Sequence, residues 1–220
     1  MSVDSPAMAR RDGFLLAAAT GVIGVTFGVL AEEAGLSLAK SMAFSALVFT
    51  GASQFAAATV IISGGTALAA VTSGLVLAAR NAFYGPSVAG RLDLRGWRRP
   101  VAAHFVIDET TAMAVTQADP EAASDAFWFT GIWLFTLWNL GTVLGVLGGG
   151  LIADSGAWGL DAAFPAAFVA LVRPLLGTPT ARRVAIGAAV IAATLIPVAP
   201  AGVPIVASAG ALVLARRRRP

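Results

Sequence analysis

The residues of this sequence that could do chemistry are polar side chains set inside long apolar runs. In one run His104, Asp108 and Thr111 follow the helical spacing i, i+4 and i+7. This spacing predicts a polar stripe on one face of a single helix, with Glu109 turned about 100° away. Charged side chains inside a membrane are costly unless paired or hydrated, so the stripe is suited to pass protons or to bind an ammonium group. The alternative is an ion pair with Arg80 or a nearby arginine that holds helices together.

A second polar group lies in the preceding run. Arg80 is one turn from Tyr84 and two turns from Ser73, so the three side chains are expected on one helix face. An arginine inside the membrane is a candidate for a functional role. Because Arg80 is also a few residues from the expected helix end, its side chain could instead extend to the membrane surface.

Two apolar runs are interrupted by residues that break helices. Thr50-Gly51-Ala52-Ser53-Gln54 interrupts one run, and Pro165 and Pro174 interrupt another. A helix broken within the membrane frees backbone N–H and C=O groups, which are tolerated only in buried or water-lined places, and a helix N-terminus there can hold a carboxylate. The breaks therefore favour a binding site for a small solute, with close glycine-mediated helix packing as the alternative. The residues predicted to bind the solute are Thr50, Gly51, Ser53, Gln54, Phe55, Pro165 and Phe168.

Asp161 follows Gly159 and Leu160 near the start of the second interrupted run. Its position is typical of a helix cap, and a role in ion coupling is the alternative. The candidate residues of a coupling or polar network are Arg80, Tyr84, His104, Asp108, Glu109 and Asp161.

The composition indicates that lipid surrounds these residues. The 220 residues are 57% hydrophobic and 12% charged, and the mean hydropathy is +0.80. So few polar groups cannot cover a water-soluble surface. Because a spanning helix needs roughly 20 residues, we expect an all-α polytopic membrane protein that forms one transmembrane domain over residues 1–220. Its eight membrane-embedded runs are predicted at about 13–31, 38–62, 66–84, 101–118, 127–152, 159–177, 184–198 and 203–215.

The same composition excludes several kinds of chemistry. The sequence has no cysteine and a single histidine, which excludes disulfides, thiolate metal sites and multi-histidine sites. An intramembrane enzyme built on His104, Asp108 and Glu109 would have a poor ligand set, so we expect no enzyme activity, no metal and no cofactor. A phosphate-binding loop is absent from the sequence, so energy must come from a gradient or from another chain. The arginine-rich segments suit an anionic lipid surface better than a nucleic acid.

Arginine clusters constrain the topology. They lie at residues 10–11, 91–99, 173–183 and 216–219. Because basic residues collect on the cytoplasmic side, we expect runs two and six to re-enter, which makes all four clusters and both termini cytoplasmic. That arrangement places the acidic segment 119–125 on the opposite side. The alternative is that all eight runs cross and one basic loop violates the rule. We expect the first run to be a retained helix and not a cleaved signal.

An internal repeat supports the re-entrant arrangement. Residues 35–49 align with residues 159–173 at eight positions. The expected topology gives these two copies opposite orientations. We therefore predict two inverted repeats, 13–118 and 127–215, each with one interrupted or re-entrant helix. The alternative is a chance match between two stretches rich in alanine and leucine.

Residues 49–55, FTGASQF, resemble a stretch of the AzlC-type family, which is the large subunit of branched-chain amino-acid exporters. Similar stretches follow in the same order at residues 80–85, 104–110, 138–149 and 159–171. The sequence departs from many relatives at Ala78, Asn81 and Ile107, where asparagine, histidine and threonine are common. These departures touch two of the polar groups described above, so they allow a shifted substrate or coupling ion.

The resemblance implies a secondary transporter in the bacterial cytoplasmic membrane that exports leucine, isoleucine, valine and methionine and is driven by protons. It also implies a small AzlD-type membrane subunit as a partner. The residues alone predict only transport of a small solute. A passive channel, or a permease for another small solute, is the alternative.

Overall fold

Long apolar helices make up most of the structure, which is a computed structural model that describes residues 6–92, 94–149, 169, 173–200 and 202–215. The helices are α1 (Pro6–Glu33), α2 (Leu38–Leu47), α3 (Gly51–Ile62), α4 (Ala67–Leu92), α5 (Arg98–Phe105), α6 (Asp108–Val115), α7 (Pro120–Gly149), α8 (Pro179–Leu195) and α9 (Val203–Ser208). Within the described ranges every regular element is helical, and α1, α4 and α7 are long and apolar enough to cross a membrane. The prediction of an all-α polytopic membrane protein is confirmed.

Most of the predicted runs correspond to one helix or to two. Runs one, three and five form α1, α4 and α7 with shifted bounds. Run two is interrupted as predicted, but the break lies at residues 48–50, because residues 51–54 already form the first turn of α3. Of run six, only Val169 and the 3-10 helix Arg173–Gly177 belong to the described residues, so the interruption at Pro165 stays a prediction.

The fourth run is not a single helix. The first part, α5, ends at Phe105, and α6 begins at Asp108, with Ile107 in an extended conformation between them. The predicted stripe from His104 through Asp108 along one helix is therefore wrong, because the chain turns between these two residues. Asp108 and Glu109 occupy the first turn of α6, where the helix dipole favours negative charge.

The chain divides into two compact units. The first comprises Met1–Gly51 and Ala78–Ile152, and the second comprises Ala52–Leu77 and Ala153–Pro220. In the second unit, α3 lies close to α4 where a Cβ at Gly74 would be 3.4 Å from the Ser53 carbonyl oxygen. Also in this unit, α8 packs against α9 and against the 3-10 helix Ala209–Ala215. Every predicted coupling residue that the structure describes lies in the first unit.

A glycine seam joins α1 to α7. It consists of Gly21, Gly24 and Gly28 of α1 and of Gly141 and Gly145 of α7. A Cβ at Gly145 would overlap the Val25 carbonyl oxygen and would lie 2.8 Å from the Gly28 Cα. Small residues let membrane helices approach this closely, and the close packing itself supplies attraction between them. Since Gly21 lies beside Leu137 and Gly28 lies beside Gly145, the two helices run parallel.

The parallel arrangement brings basic and acidic residues to the same end of the first unit. Arg10 of α1 pairs with Asp125 of α7 through two contacts of 2.6 and 2.9 Å. The end of α4 is also there, because Arg91 Nη1 donates to the Gln117 carbonyl oxygen at 2.9 Å, and Gln117 lines one surface cavity with Arg10. We call this the Arg10 end, defined by Arg10, Arg91 and Asp125.

One topological prediction is wrong in consequence. The acidic segment 119–125 was expected on the side opposite to Arg10, whereas Asp125 forms an ion pair with Arg10. Acidic residues contribute little to the orientation of a membrane helix, so basic clusters at one face do not exclude carboxylates from it.

The two halves of run four, α5 and α6, form a re-entrant hairpin. At the Arg10 end, Ala102 of α5 shares a buried cluster with Val88 at the end of α4, and α6 leads back to Gln117 at the same end. The turn lies at residues 106–107. Just before it, the ring of Phe105 is 5.7 Å from that of Phe135, which lies in the middle of α7. Run four therefore reaches the level of the middle of α7 and returns, whereas re-entry was predicted for runs two and six.

Candidate functional site

An ion pair with a tyrosine lies where α4 meets the start of α6. Arg80 Nη2 is 2.6 Å from Asp108 Oδ2, and the Tyr84 hydroxyl donates to Asp108 Oδ1 at 2.5 Å. Arg80 and Tyr84 share a helix face, as predicted from their spacing. Arg80 pairs with Asp108 and does not extend along α4 to the membrane surface. The side chains of Arg80 and Asp108 are 35% and 31% exposed, so the pair is not sealed inside the protein.

The structure contains the Arg80–Asp108 ion pair that was the alternative to a stripe that passes protons. Some polar atoms near this pair make no hydrogen bond within the described ranges. Among the described residues, Arg80 Nε and the buried Thr111 hydroxyl have no hydrogen-bond partner. Thr111 lies three residues after Asp108 on α6, so the two side chains are neighbours on one face. Glu109, half-buried, lies between them in sequence. Because unpaired buried polar atoms are costly, these atoms are candidates to contact a solute or water.

Thr110 stabilises the turn that places Asp108. Its hydroxyl donates to the Phe105 carbonyl oxygen at 2.5 Å and accepts from the Ile107 N–H at 3.2 Å. Both backbone groups would otherwise lose their helical partners at the break. Thr110 was not among the predicted site residues. The signal available in the sequence is the acidic pair Asp108-Glu109, because acidic residues are enriched in the first turn of a helix; it indicates where α6 starts but not the role of Thr110.

Thr110→Val is expected to lower the free energy of unfolding by about 1 to 3 kcal/mol. Valine has nearly the shape of threonine, but it leaves the buried Phe105 carbonyl and the Ile107 N–H without their partner. Thermal unfolding in detergent measures the change. Thr116→Val is the matched control, because the exposed Thr116 hydroxyl bonds within its own segment, donating to the Met113 carbonyl oxygen and accepting from the Gln117 side-chain amide. Equal unfolding temperatures for the two variants would contradict this role of Thr110.

His104 lies in an aromatic cluster and not beside Asp108 on a common helix. Its ring and those of Phe49, Phe105 and Phe135 form what we call the four-ring cluster. All six pairs of ring centroids are 5.0 to 6.0 Å apart. Phe49 is 4% exposed, and the other three rings are half-buried. Phe105 and Phe135 were not among the predicted site residues.

The predicted binding residues of run two lie at the start of α3. In the first unit Thr50 is half-buried, and a Cβ at Gly51 would be 2.8 Å from the indole ring of Trp138. This contact fits the alternative of close glycine packing at that position. In the second unit Ser53, Gln54 and Phe55 are buried, with Gln54 fully so. Their role in solute binding stays a prediction.

The remaining predicted residues, Asp161, Pro165 and Phe168, lie outside the described residues. Their roles as cap, helix break and apolar lining stay predictions. Within the part of the chain that the structure describes, no group of three or more His, Asp or Glu side chains could hold a metal ion.

Comparisons with known proteins place this arrangement among membrane proteins. The model of a family described as AzlC protein matches residues 16–152, a range that contains the ion pair and the four-ring cluster. The chain is 33% identical over 195 residues to an uncharacterized membrane protein of Archaeoglobus fulgidus, covering 86% of this chain and 85% of that protein.

Two bacterial relatives match a shorter part. The chain is 30% identical over 130 residues to an uncharacterized membrane protein of Helicobacter pylori, covering 58% of this chain and 57% of that protein. It is 28% identical over 132 residues to the inner membrane protein YgaZ of Escherichia coli, covering 58% of this chain and 54% of that protein. No solved structure matches the chain at comparable significance.

Proposed function

This chain belongs to the AzlC family of membrane proteins, and from that premise we propose that it is a secondary transporter that exports branched-chain amino acids. The family is associated with transport. The finer proposal, export of leucine, isoleucine, valine and methionine with protons, rests on the resemblance of residues 49–55 and on the charges of the site.

The observation that carries the proposal is the Arg80–Asp108 ion pair at the start of α6. An amino acid is a zwitterion, so its carboxylate can take the place of Asp108 beside Arg80, and its ammonium group can take the place of Arg80 beside Asp108. We infer that its carboxylate binds Arg80 and that its ammonium group binds Asp108. Arg80 Nε has no partner among the described residues, so the guanidinium can offer a second N–H to a carboxylate, which is the geometry that arginine favours.

The four-ring cluster supplies apolar surface close to the charges. Phe105 precedes Asp108 by three residues, and three residues span at most about 10 Å. A branched side chain bound at the ion pair can therefore reach the rings. Phe55 and Phe168 are kept as proposed solute-binding residues on the sequence pattern alone.

Proton coupling is assigned to the carboxylates of α6. Asp108 and Glu109 are adjacent in its first turn, so two side chains that can each carry a proton lie together at the site. Tyr84, which donates to Asp108, is proposed to stay hydrogen-bonded while the proton is exchanged. His104 is proposed to contribute to this network only by packing against the ring of Phe105.

We propose a location in the bacterial cytoplasmic membrane with both termini inside. The arginines at residues 10–11 and 91–99 lie toward the Arg10 end, and basic residues favour the cytoplasmic face. The family resemblance supplies a small AzlD-type membrane subunit as the proposed partner.

A counterflow assay in liposomes tests the function. The full chain is reconstituted with and without its companion subunit, and uptake of labelled leucine is measured against internal leucine, isoleucine, valine, methionine, serine or lysine. We expect exchange with the four apolar amino acids, and we expect an imposed pH gradient to drive net flux. Absence of exchange with every branched amino acid would contradict the substrate. Flux down a gradient without exchange and without sensitivity to pH would instead indicate a passive channel.

A further inference from the structure

The four-ring cluster connects two interruptions of the helical backbone. Phe49 lies in the break between α2 and α3, and Phe105 lies directly before the break between α5 and α6. Their ring centroids are 5.7 Å apart. Phe135, from the middle of α7, is 5.0 Å from Phe49 and 5.7 Å from Phe105. These two breaks therefore meet at one aromatic cluster near the middle of a spanning helix.

Each break is reached from a different end of the first unit. α5 starts at the Arg10 end, whereas α2 follows the opposite end of α1. On the way to the cluster, α2 is held to α7 by a hydrogen bond of 3.0 Å between Ser45 and Thr142. The helices α5 and α2 thus reach the cluster from opposite ends of the first unit.

The ion pair lies close to the cluster, because Phe105 precedes Asp108 by three residues. The Arg80–Asp108 pair is about a third exposed, and charges inside a membrane are tolerated where they are paired or hydrated. On the other side of the break, Phe49 is almost fully buried. The cluster therefore lies between partly exposed charges and a buried ring.

We propose that the four-ring cluster is the gate of the transport path. In the closed state the rings of Phe49, His104, Phe105 and Phe135 fill the path at mid-membrane. Residues 48–50 and 106–107 lie outside the helices that flank them, so they can rotate without breaking a helix, and either rotation separates rings of the cluster. The gate rests on the proposed transport role, but it does not depend on which solute is carried.

A leak assay tests the gate in the reconstituted full chain. Phe49→Ala is expected to raise passive proton and glycine efflux at least about tenfold, the change that ~1.4 kcal/mol off a barrier produces. Phe27→Ala is the matched control. Phe27 is also a buried ring in contact with aromatic residues, Phe44 at 5.8 Å and Trp138 at 6.1 Å, but it belongs to neither break.

Two outcomes of the leak assay would overturn the gate. One is a folded Phe49→Ala protein whose leak equals that of wild type, and the other is an equal leak in Phe27→Ala, which would indicate general loosening of the helices. If Phe49→Ala does not fold, the leak is measured for the milder variant Phe135→Leu, and the same two outcomes would overturn the gate. A leak in Phe49→Ala without any exchange of branched amino acids in wild type would support the gate and contradict the proposed substrate.

A thiol reaction gives a second, independent measurement. The chain has no cysteine, so Phe49→Cys introduces its only thiol. We expect a membrane-impermeant methanethiosulfonate to modify the thiol of Phe49→Cys when the reagent is added at either membrane face. The reaction should be at least about tenfold faster than with Phe27→Cys. Reaction rates that do not differ between the two variants would contradict a gate at Phe49.

Discussion

Asp108→Asn is expected to reduce leucine counterflow by about 100-fold, which corresponds to ~2.7 kcal/mol in the barrier to transport. Asparagine keeps the shape of the side chain but removes the charge that lies 2.6 Å from Arg80 and is proposed to hold the ammonium group. The loss in free energy of unfolding should be smaller, about 1 kcal/mol, because water screens a pair that is about a third exposed. Counterflow per mole of folded protein, measured together with the unfolding temperature, separates the two effects.

A double variant distinguishes solute binding from charge pairing. Arg80→Gln combined with Asp108→Asn removes both charges, so neither is left without a partner. We expect the unfolding temperature to return toward that of wild type while counterflow stays lost, because a zwitterion then meets no charge. Arg10→Gln is the control, since it breaks an ion pair with Asp125 at the Arg10 end and should change counterflow by less than about threefold. Normal counterflow by folded Asp108→Asn would show that the site lies elsewhere.

Gly145→Leu is expected to prevent the close packing of α1 on α7 and to reduce sharply the yield of folded protein. The new side chain would meet the Val25 carbonyl oxygen and the Gly28 Cα, which are backbone atoms that cannot rotate away. Overpacking a core costs about 1 to 3 kcal/mol where side chains can yield, so the cost here should exceed ~3 kcal/mol. The measurement is the monodisperse fraction on size-exclusion chromatography after heating in detergent.

Gly148→Leu is the matched control for the seam. Gly148 is on the same helix, but no atom lies within 4 Å of the position of its Cβ, so leucine there should face open space. We expect a monodisperse fraction close to that of wild type. Equal losses in both variants would mean that leucine harms α7 for a reason unrelated to the glycine seam.

Local features of the sequence were sufficient to predict the long helices and some of the site. Apolar length predicted α1, α4 and α7, and helical spacing placed Arg80 and Tyr84 on one face. The residues at 50–54 predicted the interruption of run two to within a few positions, because glycine and polar side chains are unusual in an apolar run. Each of these inferences depends only on residues close together in the chain.

The break between α5 and α6 escaped prediction because its own residues, Val106 and Ile107, are apolar. The hydropathy pattern therefore continued through the turn and predicted a single helix that contains both His104 and Asp108. What determines the turn is a set of hydrogen bonds made by Thr110, together with packing of Phe105 against Phe135 on a distant helix. The side of the acidic segment was mispredicted for a similar reason, since the pairing of Arg10 with Asp125 links residues 115 positions apart.

The glycine seam also has a consequence for how the protein is made. A ribosome that adds about 5 to 20 residues per second delivers the 115 residues between Arg10 and Asp125 in roughly 6 to 23 seconds. During that interval α1 is already in the bilayer while its partner has yet to be synthesised. Its glycine face meets lipid or the insertion machinery, and the re-entrant hairpin is inserted before α7 can shelter the broken backbone. Membrane insertion of this chain therefore requires that lipid or the insertion machinery cover α1 and the re-entrant hairpin for several seconds. The first unit is complete only when α7, the fifth apolar run, has been inserted.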